Sequence, residues 1–264
     1  MPNRNLCPPA GYRGYGRCVL GLRLVGELAV ESDGIPVPLS VTNRRILASL
    51  ALCPGLHNRD ALSARFWPDA AQSSAHANLR TALWSLRQAV GADAIHATRA
   101  AVGLHEPAWW IDVREIRTRT DLGDLAGAAE LSQGELLPGV LDDWASEPRR
   151  EHRERHAALL DRLAERAEAA GEPAEAARLS RLRCALTPFD EPAHRALLRR
   201  LSAAGNRAGA LVASREFVDR LHAELGVRPG PATRAVLAEV RGPVTSSAGT
   251  GVTRRYPQTI ERPR

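Results

Sequence analysis

Between Ser74 and Val90 the chain reads SAHANLRTALWSLRQAV, in which Leu79, Leu83, Leu86 and Val90 recur at helical spacing. With about 100° of rotation per residue, Thr81, Trp84 and Gln88 fall on the opposite side, flanked by Asn78, Arg80, Ser85 and Arg87. A solvated helix face ordinarily mixes both charge signs, yet this one carries Arg, Asn, Thr, Ser and Gln and no acid. Such side chains suit the base edges and phosphates of a DNA major groove. Asn78, Thr81, Trp84 and Ser85 are the candidate base readers, since Asn pairs bidentately with adenine and Thr or Trp packs on a thymine methyl. Arg44, Arg45, Arg80, Arg87 and Arg99 are the candidate phosphate contacts, placed on an earlier helix, the reader helix and a following turn.

The charge distribution agrees with a polyanionic partner. All 36 basic residues are Arg, and the net charge is +6. Residues 1–110 hold 11 Arg against 7 acids, residues 111–240 hold 20 against 22, and the last 24 hold 5 against 1. A basic front and tail around a neutral body fit nucleic-acid contact at the ends and protein contact in the middle.

Several enzyme classes drop out on residue types alone. Without lysine there is no Walker A, Schiff-base or lysine-base chemistry. Cys7, Cys18, Cys53 and Cys184 form no CxxC pair, which argues against a zinc finger or a disulfide framework and fits a reducing cytoplasm. His152 and His156 stand at i, i+4, but the intervening Glu is misplaced for a metalloprotease. Arg149, Arg150, Arg153 and Arg155 would oppose a cation, so the segment reads as a solvated charged face. No catalytic elbow, dinucleotide turn or calcium loop is present, and neither a cofactor nor a metal is expected. Residues 1–18 lack the apolar core of a signal peptide, and no stretch reaches the ~20 apolar residues of a membrane span. The expected location is the cytoplasm, on the nucleoid.

The elements that must position these residues follow from periodicity and punctuation. Leu22 to Val30 alternates as a strand pair, Ser32-Asp33-Gly34 supplies a turn, and Ile35 to Leu39, with its prolines, reads as an edge strand. A helix capped by Ser40 or Thr42 runs through Ile46, Leu47 and Leu50 to Pro54-Gly55. A second spans about Arg59 to Trp67 before Pro68, and the reader helix ends at Gly91. Ile95 to Thr98 and Val102 to Leu104 then make a β-hairpin about Arg99. Strands, three helices and a hairpin are the order of a winged helix. From Asp121 the chain is helical, with predicted helices Asp121–Leu131, Asp143–Ala169, Pro173–Leu186, Glu191–Ala203, Arg207–Leu225 and Pro231–Val240. Ala170-Gly171-Glu-Pro-Ala174 recurs as Ala204-Gly205-Asn-Arg-Ala208. The glycines lie 34 residues apart, the period of tetratricopeptide helix pairs.

These motifs resemble those of the SARP family of bacterial activators, which join an OmpR-type winged helix to a bacterial transcriptional activator domain. The front match rests on Leu22–Leu28, the helix from Arg45 to Leu52, Leu62 with Phe66-Trp67, and Asn78-Leu79-Arg80 with Leu83 and Leu86-Arg87. The rear match rests on Gly134-Glu-Leu-Leu-Pro-Gly with Asp142-Asp143-Trp144, on Pro188-Phe-Asp-Glu191 with His194-Arg195, and on Leu221 with Glu224-Leu-Gly-Val-Arg-Pro229. Gly103-Leu104 stands where the family's wing ends in Gly-Tyr. Trp144 reads as a core anchor.

The expected fold is mixed and mainly α: a winged helix-turn-helix over residues 19–112, then an all-α tetratricopeptide-like domain over 113–241, between a disordered arm (1–18) and a disordered basic tail (242–264). The resemblance implies a non-enzymatic activator of a secondary-metabolite gene cluster. It would bind promoter direct repeats of double-stranded DNA as a homodimer and touch RNA polymerase and its sigma factor. The alternative is a protein-binding adaptor that reads no DNA sequence.

Overall fold

A computed structural model describes residues 20–242; the expectations for residues 1–18 and for the tail beyond residue 242 lie outside the described residues. Strands β1 (Leu20–Arg23), β2 (Ala29–Ser32) and β3 (Ile35–Pro36) form an antiparallel meander with Leu22 opposite Val30. β3 lies at the edge, where its proline costs no ladder bond. A fourth strand, β7 (Trp109–Ile111), pairs parallel to β1 on the other side, with Leu20 opposite Trp109. This strand has no counterpart in the sequence reading, because its partner lies far back in the chain and no turn announces the pairing.

Helix α1 (Val41–Leu52) starts at Ser40, whose hydroxyl accepts from the Asn43 amide at 3.1 Å. After β4 (His57–Asn58), α2 (Arg59–Phe66) is capped by Asn58, and α3 (Gln72–Val90) stops at Gly91 with φ 93°. The hairpin β5 (Ile95–Ala97) and β6 (Ala101–Leu104) forms the wing, joined by β4 in a second sheet of order β4-β6-β5. Burying a leucine or isoleucine stabilises by roughly 1.5–3 kcal/mol, and Leu22, Ile46, Leu47, Leu79 and Leu86 are all essentially closed to solvent. They lie in one core between sheet and helices.

The helical half begins with α4 (Asp112–Asp121), absent from the sequence reading, and α5 (Leu125–Leu131). It continues through α6 (Ser146–Ala169), α7 (Pro173–Leu186), α8 (Glu191–Ala203), α9 (Arg207–Leu225) and α10 (Pro231–Arg241). The 34-residue spacing corresponds to one turn used twice. Gly171 and Gly205 sit at φ 75° and 70°, and the amide after each glycine bonds the carbonyl five residues before it: Glu172 to Ala167 at 2.8 Å and Asn206 to Leu201 at 2.9 Å.

The front core does not stop at residue 112. A strap over residues 134–145 returns to it and inserts Leu136, Leu137, Val140 and Ala145. The Leu137 amide bonds the Leu24 carbonyl at 2.7 Å, and the Gly26 amide bonds the Glu135 carbonyl at 2.8 Å. Gly134 permits the approach: its φ is 113°, and a Cβ there would stand 2.9 Å from the Gly26 Cα.

Candidate nucleic-acid interface

Along α3, Leu79, Leu83, Leu86 and Val90 are buried, with Ala75 and Ala82 beside them. The amphipathic seam read from the sequence is therefore the packed face. Asn78, Arg80, Thr81, Trp84, Arg87 and Gln88 are all exposed, and Trp84, at 66 %, is among the most exposed large apolar side chains described. The Thr81 hydroxyl donates to the Ala77 carbonyl at 3.1 Å, so its methyl and lone pairs remain free to face outward. Ser85 is half-buried and accepts from the Asn43 Nδ2 at 3.2 Å, tying α3 to α1. Of the four proposed base readers, Asn78, Thr81 and Trp84 stand clear, while Ser85 is engaged in holding the helix.

Two arginine-bearing hollows flank this face, the first with a net excess of arginine and the second with Asp93 beside its Arg87. Near the start of α3, Arg80 and Arg99 of the wing turn are brought together with Arg59, Ser73 and His76 around a cavity of about 370 Å³. Its one acid, Asp60, is met by His76 Nε2 at 2.9 Å. The Arg59 amide bonds the Ala100 carbonyl at 3.0 Å, fixing the start of α2 to the wing, and its Nε is buried without a partner among the described residues. Near the far end, Arg87 approaches the Ala92 carbonyl at 3.4 Å beside His96 and His105. Arg80 and Arg87 are seven residues apart, about 10 Å along a helix axis, against a major groove about 12 Å wide. Arg59 and His76 escaped the sequence reading; the Asn58-Arg59-Asp60 run, a helix cap followed by a cation, was the available signal.

The arginine pair on α1 needs correction. Arg44 is half-buried, with Nη1 3.4 Å from the Leu28 carbonyl. Arg45 is ion-paired with Asp142 of the strap and lies over the Phe66 ring at 5.7 Å. A guanidinium neutralised by a strap carboxylate is not available to a phosphate, so Arg45 belongs to the junction between the halves.

That junction is built from buried polar groups. The Asp112 carboxylate accepts from the amides of Leu24 at 2.7 Å, Val25 at 2.8 Å and Val113 at 2.7 Å. Burial nevertheless pushes its pKa up to about 6. Arg149 donates to the carbonyls of Leu136 at 3.0 Å, Leu137 at 2.6 Å and Val140, closing the strap from below. Trp144 packs edge-on against Phe66 at 6.2 Å, the anchoring role expected of it, though its partner belongs to the front domain. The expected solvated face at His152 and His156 is also corrected, for both are 8 % exposed. His152 Nε2 lies 3.1 Å from the Ser132 carbonyl, and burial depresses both rings, His156 to about 4. Among the described residues no group of three or more His, Cys, Asp or Glu is placed to hold a metal, and no helix is long and apolar enough to cross a membrane.

A three-helix head with a wing, docked on a helical array through a strap of its own chain, defines a two-part architecture. The family model of the bacterial transcriptional activator domain matches residues 112–241, and that half of the chain belongs to this domain family. Among solved structures, Mycobacterium tuberculosis EmbR in complex with a low-affinity phosphopeptide shares the fold, with a TM-score of 0.67 and 22 % identity. The match covers 85 % of this chain and 65 % of that one, so the present chain spans less than two thirds of EmbR. No curated protein matches the sequence. The domain match supports the SARP-type assignment carried by the sequence motifs, and the fold likeness agrees with the expected winged-helix and helical halves.

Proposed function

We propose that this protein is a sequence-specific DNA-binding transcriptional activator. The observation that carries the reading is the outward face of α3, where Asn78, Arg80, Thr81, Trp84 and Arg87 are exposed with no acid among them, between two arginine-bearing hollows. In this reading α3 enters the major groove, with Asn78, Thr81 and Trp84 against base edges. Arg80, Arg87, Arg99 and Arg59 meet phosphates on either side, with Arg44 at the margin.

A single module of this size buries only about 600–1,000 Å² of surface on DNA. Two copies on promoter direct repeats, about one helical turn apart, supply the missing specificity. The neutral helical half faces RNA polymerase and its sigma factor, and the target is a secondary-metabolite gene cluster. The test is fluorescence anisotropy on repeat-containing duplexes across a salt series, followed by in vitro transcription from templates whose repeats are offset by half a turn. Steep salt dependence and loss of activation on the offset template are expected. Salt-insensitive binding, or indifference to the offset, refutes it in favour of a protein adaptor.

A further inference from the structure

The seam between reading head and helical half encloses a hollow of about 290 Å³. Its apolar walls are Leu52 of α1, Val113 and Ile116 of α4, Leu136 of the strap, and Trp144. A neighbouring hollow of about 320 Å³ shares Ile116, Arg117 and Arg155 and continues along α6 to Arg162. Arg65, Arg117 and Arg155 stand on the rim of the first, with Glu147 and Glu151.

The acids on that rim are spoken for. Glu147 is ion-paired with Arg150, and Glu151 with Arg155 at 2.8 Å. Arg65 Nη1 donates to the Ser49 Oγ at 2.9 Å. Arg117 makes no ion pair within 4.0 Å among the described residues; burial, Arg155 and Arg114 work against its charge, and Glu151 offsets them only in part. Trp144 keeps its indole N–H buried without an acceptor among the described residues. An apolar hollow at a domain boundary, with a guanidinium that makes no ion pair and an N–H without an acceptor among the described residues, lacks one thing: an acceptor-bearing anion.

We propose that this hollow binds a small, largely apolar anion, a carboxylate on an aromatic or aliphatic skeleton, with Arg117 holding the carboxylate. Because the walls come from both halves, such a ligand stabilises the junction between them. The site does not depend on the DNA reading above.

The test is isothermal titration of the full chain with 2-naphthoate and with its neutral counterpart 2-naphthamide. Saturable naphthoate binding with a Kd below about 1 mM is expected, and amide binding weaker by about tenfold or more. R117Q should erase the difference between acid and amide, R117K should retain part of it, and R153Q, on an exposed arginine of α6 away from the hollow, should change nothing. Arg117 is exposed, and thermal melts of each variant establish that it folds. Equal affinity for acid and amide, naphthoate binding unaffected by R117Q, or no saturable naphthoate binding overturns the proposal.

Discussion

Arg149 and Arg150 are neighbours on one helix whose replacement should give opposite results. The Arg149 side chain is 18 % exposed, and its guanidinium satisfies three strap carbonyls. Hydrogen bonds to a charged group contribute about 1.5–3 kcal/mol each. Nη2 is shared between two carbonyls and water reaches part of the site, so the sum must be discounted, to about 3–4 kcal/mol for Arg149→Met. The added ion pair to Glu135, which is 60 % exposed, contributes little. The loss should be expressed in the strap first, because Leu137 sits at φ 55°, a conformation that costs a branched residue about 1 kcal/mol or more and persists only while its surroundings hold it.

At about 2–4 °C per kcal/mol for a chain of this size, Arg149→Met should lower the melting temperature by roughly 6–15 °C. Arg149→Lys should recover only a minor part, since a point charge cannot replace the fork. Arg150, more than half exposed and paired with Glu147 and Glu154 on the surface, should leave the melting temperature unchanged when replaced by Met. The assay is a calorimetric melt with hydrogen exchange at the Gly26 and Leu137 amides, which should lose protection in Arg149→Met ahead of the α8 amides. A shift within about 2 °C for Arg149→Met, or equal shifts for the two methionine variants, would show that the strap holds without this clamp.

Replacing Arg80, Arg87 or Arg99 by Ala should weaken binding to all duplexes alike and reduce the salt slope by about one unit per lost contact; Arg45→Ala should leave the slope unchanged, and anisotropy titrations distinguish the two. Thr81→Val or Trp84→Ala should alter the sequence motif recovered by in vitro selection more than affinity for random DNA, with about 1–3 kcal/mol of discrimination at the affected base; recovery of the wild-type motif would place other residues on the bases. The raised Asp112 pKa implies a stability contribution that is fully present below pH 3.8, its unfolded value, and is lost as pH rises through about 6. Two pH units correspond to about 3 kcal/mol. The depressed His156 acts in the opposite sense, losing its contribution as pH falls towards 4. Urea melts from pH 4 to 7.5 on wild type and Asp112→Asn separate them, because only the Asp112 component vanishes in the variant.

The parts legible in the sequence are those set by local chemistry. Pro173–Leu186, Glu191–Ala203 and Arg207–Leu225 come out with the bounds read beforehand, because glycine and proline punctuate each end. The packed seam of α3 is equally local, since four apolar residues at helical spacing leave one choice of inward face. What stayed hidden depends on distant partners. β7 has no sequence signal beyond three apolar residues, α4 carries only Val113 and Ile116 as an apolar stripe, and the Asp142 that occupies Arg45 lies 97 residues away. His152 and His156 look solvated among arginines, yet the helix turns just those two into the α5–α6 seam. Charged neighbours at i±1 say nothing about the face a histidine occupies.

The strap also decides how the chain can be divided. A fragment ending at residue 110 would lack Ile111 and Val113 and, from the strap, Leu136, Leu137 and Val140, all buried in the front core. At roughly 1.5–3 kcal/mol each, these five side chains contribute about as much as the whole stability of an ordinary domain, about 5–15 kcal/mol. Two backbone amides, those of Leu24 and Val25, now held by Asp112, would be released as well. Residues 1–110 alone should therefore show no cooperative melt. A fragment through Ala169 retains the strap and Arg149, and should melt cooperatively below the full chain, since the α6 face that packs against α7 is uncovered. If residues 1–110 melted cooperatively and bound duplex DNA as tightly as the longer fragment, the strap would be an accessory to the head and not part of its core. The expected outcome has a functional corollary: a head completed by the first turns of its helical domain cannot swing freely from it, so force or ligand applied at the junction is felt at α3.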